Sequence, residues 1–299
     1  RRKIITETEN FPTDNYIIEG VTRQLNRNFE ITYVDDSEDI ISSIDESVAV
    51  VVLTHIHYKN GKMLDIPEIT RATHKAGALI IWDLAHSTGA VPLELDNWKV
   101  DFAVGCSYKY LNGGPGAPGY LFVAKRHIGK FNQPLTGWFA HKSPFAFETQ
   151  YKPSGDISQY LCGTHPVLSS IALDAALDVW ADVDIKDVRK KSLELTDYFI
   201  ELVEKCCSEP ALKLITPRDH KLRGSQVSFT YPEGGYAIVS ALIEDGVIGD
   251  FRAPNILRFG FTPLYTSFSD VWLAVNKLKT ILDTKSWDQP RFHNRKVVT

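Results

Sequence analysis

Six short apolar runs, separated by amphipathic stretches, constrain this chain more than any other feature of it. They predict strands over residues 3–7, 30–34, 47–53, 78–82, 101–105 and 120–124. Several of these runs are continuously apolar, as strands buried on both faces must be. Helical patterns fall between them at 14–28, with Thr13 or Asp14 as cap, at 37–43 and at 66–76. Strand, helix, strand at this spacing predicts βαβ units and an α/β fold with a mostly parallel sheet flanked by helices. Such sheets bind ligands outside the carboxyl ends of their strands.

The second half changes character. Two long helices are expected at 166–181 and 183–207. After them come short strands at 212–216, 226–231, 247–251 and 256–259 and helices at 236–244 and 267–284. This predicts a large domain over residues 1–189 and a smaller C-terminal α+β domain over 190–299. The polar tail from Trp287 is expected to be loosely held. The chain opens on Arg1-Arg2-Lys3 and enters a strand with no apolar stretch between, so no signal peptide is expected there. With no initiator methionine either, it reads as starting inside a domain.

Composition removes several function classes. With 33 basic and 37 acidic side chains the net charge is −4, which gives no electrostatic case for nucleic acid or an acidic membrane surface. No apolar run approaches the ~18 residues of a membrane-spanning helix. Cys106, Cys162, Cys206 and Cys207 have no metal-type spacing and are too few for a disulfide framework, so a reducing, cytoplasmic setting is expected. His55-Ile56-His57 would place two imidazoles on one strand face, but no third ligand supports a metal. Cys106 reads as a small buried hydrophobe, Cys206-Cys207 as inert. Arg189-Lys190-Lys191 reads as a solvated face.

Two polar clusters carry the chemistry. Trp82-Asp83-Leu84-Ala85-His86 ends the run Ala78-Leu79-Ile80-Ile81, and Ser107-Tyr108-Lys109-Tyr110-Leu111-Asn112-Gly113-Gly114-Pro115-Gly116 follows Phe102-Ala103-Val104. A carboxylate at the end of a buried strand is costly unless it meets a cation or donors. A lysine at a strand end, on a loop read as flexible, is a usable nucleophile or base once burial lowers its pKa. Each alone has a plain reading, as an ion pair, a solvated loop lysine and a turn. Together, in one α/β domain, they suit pyridoxal phosphate, with the aspartate on the ring nitrogen and the lysine on the carbonyl carbon.

With its further motifs the chain resembles the kynureninase family, fold-type-I pyridoxal-phosphate enzymes, and its bacterial form in particular. The resemblance rests on Asn10-Phe11-Pro12-Thr13-Asp14, the 83–86 and 107–116 clusters and Leu135-Thr136-Gly137-Trp138-Phe139. It continues through Tyr160-Leu161-Cys162-Gly163-Thr164, Arg223-Gly224-Ser225 and Leu257-Arg258-Phe259-Gly260-Phe261-Thr262-Pro263-Leu264-Tyr265. It implies the hydrolysis of L-kynurenine to anthranilate and L-alanine, a step of tryptophan catabolism, by a homodimer with shared active sites. Lys109 would hold the cofactor covalently and then serve as base, Asp83 would keep the pyridine nitrogen protonated, and Asp14 and Phe11 would lie at the ring. His86 would sit near cofactor and substrate. Tyr108 and Trp138 would donate to the phosphate, Tyr108 doubling as acid–base relay. Thr164 would reach the site from the partner subunit, and Arg258 would hold the substrate's α-carboxylate.

Three departures accompany the resemblance. Family members carry a longer N-terminal stretch that helps cradle the phosphate, so weak cofactor binding by residues 1–299 alone is one expectation. Gly163-Thr164 replaces the Ser-Asn of animal enzymes, which favours kynurenine over 3-hydroxykynurenine. Ala140 stands before His141 where Gly is usual. The rival readings are another fold-type-I activity, such as a cysteine desulfurase using Cys162 or an aminotransferase, and a non-catalytic form that only dimerises or binds a ligand.

Overall fold

Each apolar run of the first half becomes a strand: β1 (Lys3–Glu7), β2 (Glu30–Val34), β3 (Val48–Thr54), β4 (Leu79–Asp83), β5 (Phe102–Cys106) and β6 (Gly119–Val123). The computed structural model, which describes residues 1–295, joins them into one sheet ordered β2-β1-β3-β4-β5-β6. β1 to β5 run parallel and β6 lies antiparallel to β5 at the edge. Ile5, Val51, Leu53, Ile80, Trp82 and Ala103 are fully buried along the central strands. α1 (Pro12–Leu25) and α2 (Ile66–Lys75) connect β1 to β2 and β3 to β4, and α3 (Val167–Asp178) follows later.

Two local expectations are corrected. α1 begins two residues early, because Pro12 is preorganised for a first helical position; the cap residue is Phe11, with no side-chain cap, and not Thr13 or Asp14. The stretch 37–43 forms only a single 3₁₀ turn, Ser37–Asp39. There Ser42 and Ser43 both turn their hydroxyls onto the Asp39 carbonyl, competing with a continuing helix.

The chain divides into two compact units. One comprises Arg1–His55, Asp65–Thr88 and Leu93–Asp182; the other comprises Ile56–Leu64, Gly89–Pro92 and the chain from Val183 onward. In the second unit α4 (Ile185–Cys206), α5 (Gly235–Glu244) and α6 (Phe268–Thr284) accompany an antiparallel sheet ordered β7 (Lys213–Leu214), β8 (Gln226–Thr230), β10 (Ile256–Gly260) and β9 (Asp250–Arg252). Phe199, Val227, Phe229, Leu242, Leu257, Val275 and Ile281 form its core. α6 starts with a full capping box between Ser267 and Asp270.

The tail is not loose where it is described: α7 (Pro290–His293) buries Phe292 in this core and Trp287 packs against it. Residues 296–299 lie outside the described residues. In the basic run at 189–191 only Lys190 is exposed, as a solvated face would be. Arg189 donates to the carbonyls of His220, Arg223 and Gly224, and Lys191 donates to that of Pro263. Burial, with the Arg223 charge beside it, pushes Arg189 down to about 10. Arg1 and Lys3 are likewise engaged, with Val48 and Ala76 carbonyls and with Asp45.

Candidate active site

Four neighbouring strands of the parallel sheet deliver polar residues at their carboxyl ends, as this architecture requires. β1 leads through Asn10 into the first turn of α1, where Asp14 sits. β3 ends on Thr54 and β4 on Asp83, which are register partners. β5 runs into the loop that carries Tyr108 and Lys109.

A buried polar network fixes the first of these turns. Thr6 Oγ1 donates to Asn15 Oδ1 at 2.9 Å, and Asn10 Nδ2 donates to Thr6 Oγ1 at 3.1 Å. Asn10 Oδ1 accepts from the Phe11 amide and from the Thr54 hydroxyl. The same hydroxyl lies 3.4 Å from Asp14 Oδ2. Thr6, Asn10 and Thr54 are all at most 3 % exposed, so these bonds replace water rather than compete with it.

Asp14 and Asp83 meet at the centre. Their carboxyls are hydrogen-bonded to each other, so one of them carries the proton between them. Burial, followed by the Asp83 charge and that hydrogen bond, pushes Asp14 up to about 7. Burial also raises Asp83, opposed by the Ala85 amide, which donates to Asp83 Oδ1 at 2.7 Å, and by the charge of Lys109. Without that shared proton, two desolvated carboxyls beside one ammonium are one positive charge short. The cationic ring nitrogen of pyridoxal phosphate, beside a lysine able to hold its carbonyl carbon, meets that deficit, so the donor set fits this cofactor.

The lysine loop is braced rather than flexible. Gly113 donates its amide to the Ser107 carbonyl at 2.9 Å, and Asn112 donates to that of Lys109 at 3.0 Å. A Cβ at Gly113 would come within 2.9 Å of both Ser107 O and the Ala117 methyl, which is why glycine stands there. Lys109 is half-buried, its ammonium 5.3 Å from the ring centroid of the exposed Tyr108. His86 is buried in the turn after Asp83. The next residue, Ser87, anchors that turn by a 2.8 Å hydrogen bond to His55 Nδ1. β3 stops at Thr54, so His55 and His57 do not share a strand face; His57 belongs to the second unit and lies against Tyr58. Among the described residues there is no group of three metal-ligating side chains.

The remaining site candidates lie on other segments of the chain. Phe11 is 42 % exposed as the cap of α1. Trp138 occupies a 3₁₀ turn, with its ring against Phe139, Phe145 and Phe147. Thr164 is exposed. The segments bearing these two are joined: the Cys162 thiol donates to the Leu135 carbonyl at 2.9 Å, and a Cβ at Gly137 would overlap the Cys162 carbonyl oxygen. Arg258 is on β10 of the second unit, paired with Asp250. Cys106 is half-buried, its thiol 3.8 Å from the Ala85 carbonyl, and burial pushes Cys207 up to about 11. Sequence reasoning missed Asn10's bracing role, Thr54, and Tyr120. The Tyr120 hydroxyl crosses β5 at Gly105 to meet Thr88, and burial, with Asp83 and Cys106 nearby, pushes it up to about 12.

Known proteins match this chain along its whole length. It is 51 % identical over 299 residues to a kynureninase of Burkholderia mallei (strain SAVP1), covering all of this chain and 72 % of that protein. A kynureninase of Pseudomonas fluorescens is 52 % identical with the same coverage. Among solved structures, the apo cysteine desulfurase of Thermococcus onnurineus NA1 superposes with a TM-score of 0.79 at 18 % identity, covering 95 % of this chain and 73 % of that one. A second, solved with glycine covalently linked to its PLP cofactor, has a TM-score of 0.78 at 18 % identity, over 93 % of this chain and 74 % of that one. At such identity these two establish the fold-type-I architecture alone. The kynureninase C-terminal domain model matches residues 188–278. By this likeness in sequence over its full length, the chain belongs to the kynureninase family.

Proposed function

We propose that Asp14, Asp83 and Lys109 form the catalytic centre with which this chain performs its family's reaction, the pyridoxal-phosphate-dependent hydrolysis of L-kynurenine to anthranilate and L-alanine. The observation that carries this reading is the pair of carboxyls, half-buried Asp14 and buried Asp83, hydrogen-bonded to each other, both raised by desolvation and both within reach of the Lys109 charge. When bound, the cofactor supplies the electron sink for cleaving a carbon–carbon bond. Asp83 holds the proton on its ring nitrogen, and Asp14 takes up the excess proton of the pair. Phe11, His86, Tyr108, Trp138 and Thr164 complete the cofactor's surroundings, with Thr164 supplied across a homodimer interface.

The residues act on the substrate in sequence. Arg258 holds the α-carboxylate by a bidentate fork, with His86 and Thr164 beside the substrate. The Lys109 amine removes the α-proton. Water adds to the γ-carbonyl, the Cβ–Cγ bond breaks, and the aryl fragment leaves as anthranilate. The Tyr108 phenol relays a proton to the β-carbon of the remaining three-carbon unit, which leaves as alanine. Residues 1–189 serve cofactor binding and 190–299 the substrate's carboxylate. Unmodified kynurenine is preferred to its 3-hydroxy form, and the enzyme works in the cytoplasm.

Covalent capture tests the central assignment. The chain is incubated with pyridoxal phosphate, reduced with borohydride and digested, and the peptides are weighed. The cofactor's mass is expected on Lys109. Label on other lysines, with Lys109 unmodified, overturns the reading.

A further inference from the structure

Arg258 is built into a rigid frame. Its neighbours Leu257 and Phe259 turn into the core of the second unit, so Arg258 projects from the opposite face of the sheet. Its register partners there are Ser228 on β8 and Asp250 on β9. The segment 56–64 of the same unit is tied to this face through main-chain carbonyls. Gln226 Nε2 donates to those of His57 and Tyr58, both at 3.2 Å, and Ser228 Oγ donates to that of Lys59 at 2.6 Å.

Within this frame the guanidinium is held on two sides. Nε donates to Asp250 Oδ1 at 2.9 Å and Nη2 donates to Asp250 Oδ2, a side-on bidentate pair. Nη1 donates to the Tyr58 carbonyl at 2.5 Å. An arginine has five N–H bonds; these contacts use three, leaving one on each terminal nitrogen. Asp250 also accepts from Arg252 Nη2 at 3.2 Å, so two guanidiniums share one carboxylate.

We propose that Asp250 is a positioning residue for the reaction. It clamps the Nε/Nη2 edge of Arg258, so that the unused N–H bonds of Nη1 and Nη2 meet the α-carboxylate as one preset fork. The proposal rests on the assignment of Arg258 as the holder of that carboxylate. An unclamped arginine spreads over many rotamers, and ordering it on each binding event costs affinity. A clamped one has met that cost during folding.

The test is a set of steady-state kinetics on the cofactor-loaded enzyme with L-kynurenine. Asp250→Asn is expected to raise KM by about tenfold or more, the scale of one charge-assisted contact, while kcat stays within about threefold. Asp250→Glu, which keeps the charge but displaces it by one methylene, is expected to give a smaller rise. In an Arg258→Ala background, Asp250→Asn is expected to add nothing. An unchanged KM in Asp250→Asn, beside a raised one in Arg258→Ala, overturns the Asp250 proposal and leaves the Arg258 assignment standing. An unchanged KM in Arg258→Ala removes that assignment itself. A KM rise from Asp250→Asn that persists in the Arg258→Ala background shows that Asp250 only holds the sheet together, and also overturns the proposal. If Asp250→Asn does not fold, Asp250→Glu decides, and an unchanged KM there counts against it.

Discussion

Asp14 and Asp83 are the residues on which the electrostatics of this chain turn. Asp14 moves from 3.8 in a free side chain to about 7 in the fold, so between those values the folded chain binds more protons than the unfolded one. Stability of the cofactor-free protein therefore falls as pH rises through this window, and the loss is complete above it. Asp14→Asn is expected to flatten that slope, read as melting temperature against pH; a slope identical to that of the parent chain contradicts the shared-proton pair. Asp83→Asn keeps the shape but not the charge that, on the proposed reading, would hold a proton on the ring nitrogen. It is expected to lower kcat by about a hundredfold or more, on the scale of losing one preorganised electrostatic partner, with circular dichroism unchanged. Of these residues, Asp83 and Lys109 were legible in the sequence because each follows an apolar run at a strand end. Asp14 was visible only through its motif. Its partnership with Thr54 and Asp83 was not, because it depends on which strands lie side by side.

At the scale of elements, helix and strand positions were legible to within a few residues, and the errors have local causes. Pro12 sets the start of α1 earlier than a polar cap would, and the Ser42 and Ser43 hydroxyls end the 3₁₀ turn. What the pattern could not give is contact between segments that have no periodicity. The approach of 135–138 to 160–164 depends on Gly137, whose backbone lies against the Cys162 carbonyl. Gly137→Ala is expected to force these segments apart, lowering the melting temperature by several degrees and weakening pyridoxal phosphate binding, followed by quenching of tryptophan fluorescence. Full retention of both properties would show that the two segments do not depend on one another.

The whole molecule joins two differently built units, and the sequence pattern told them apart: strands alternating with helices in the first, long helices followed by short strands in the second. The basic run at 189–191 misled, because an arginine among lysines looks solvated until the carbonyls of residues 220, 223 and 224 converge on it. The second unit's core centres on Phe199, whose ring meets Phe229, Phe259 and Phe261. Phe199→Ala is expected to cost that unit about 3–5 kcal/mol, measured by urea unfolding, as for other large-to-small changes in a packed core. The most direct test of the central claim is product formation. The chain is mixed with pyridoxal phosphate and L-kynurenine, and anthranilate is followed by its fluorescence beside a Lys109→Ala control. The account predicts anthranilate from the parent chain and none above background from the variant; equal rates from both would contradict it.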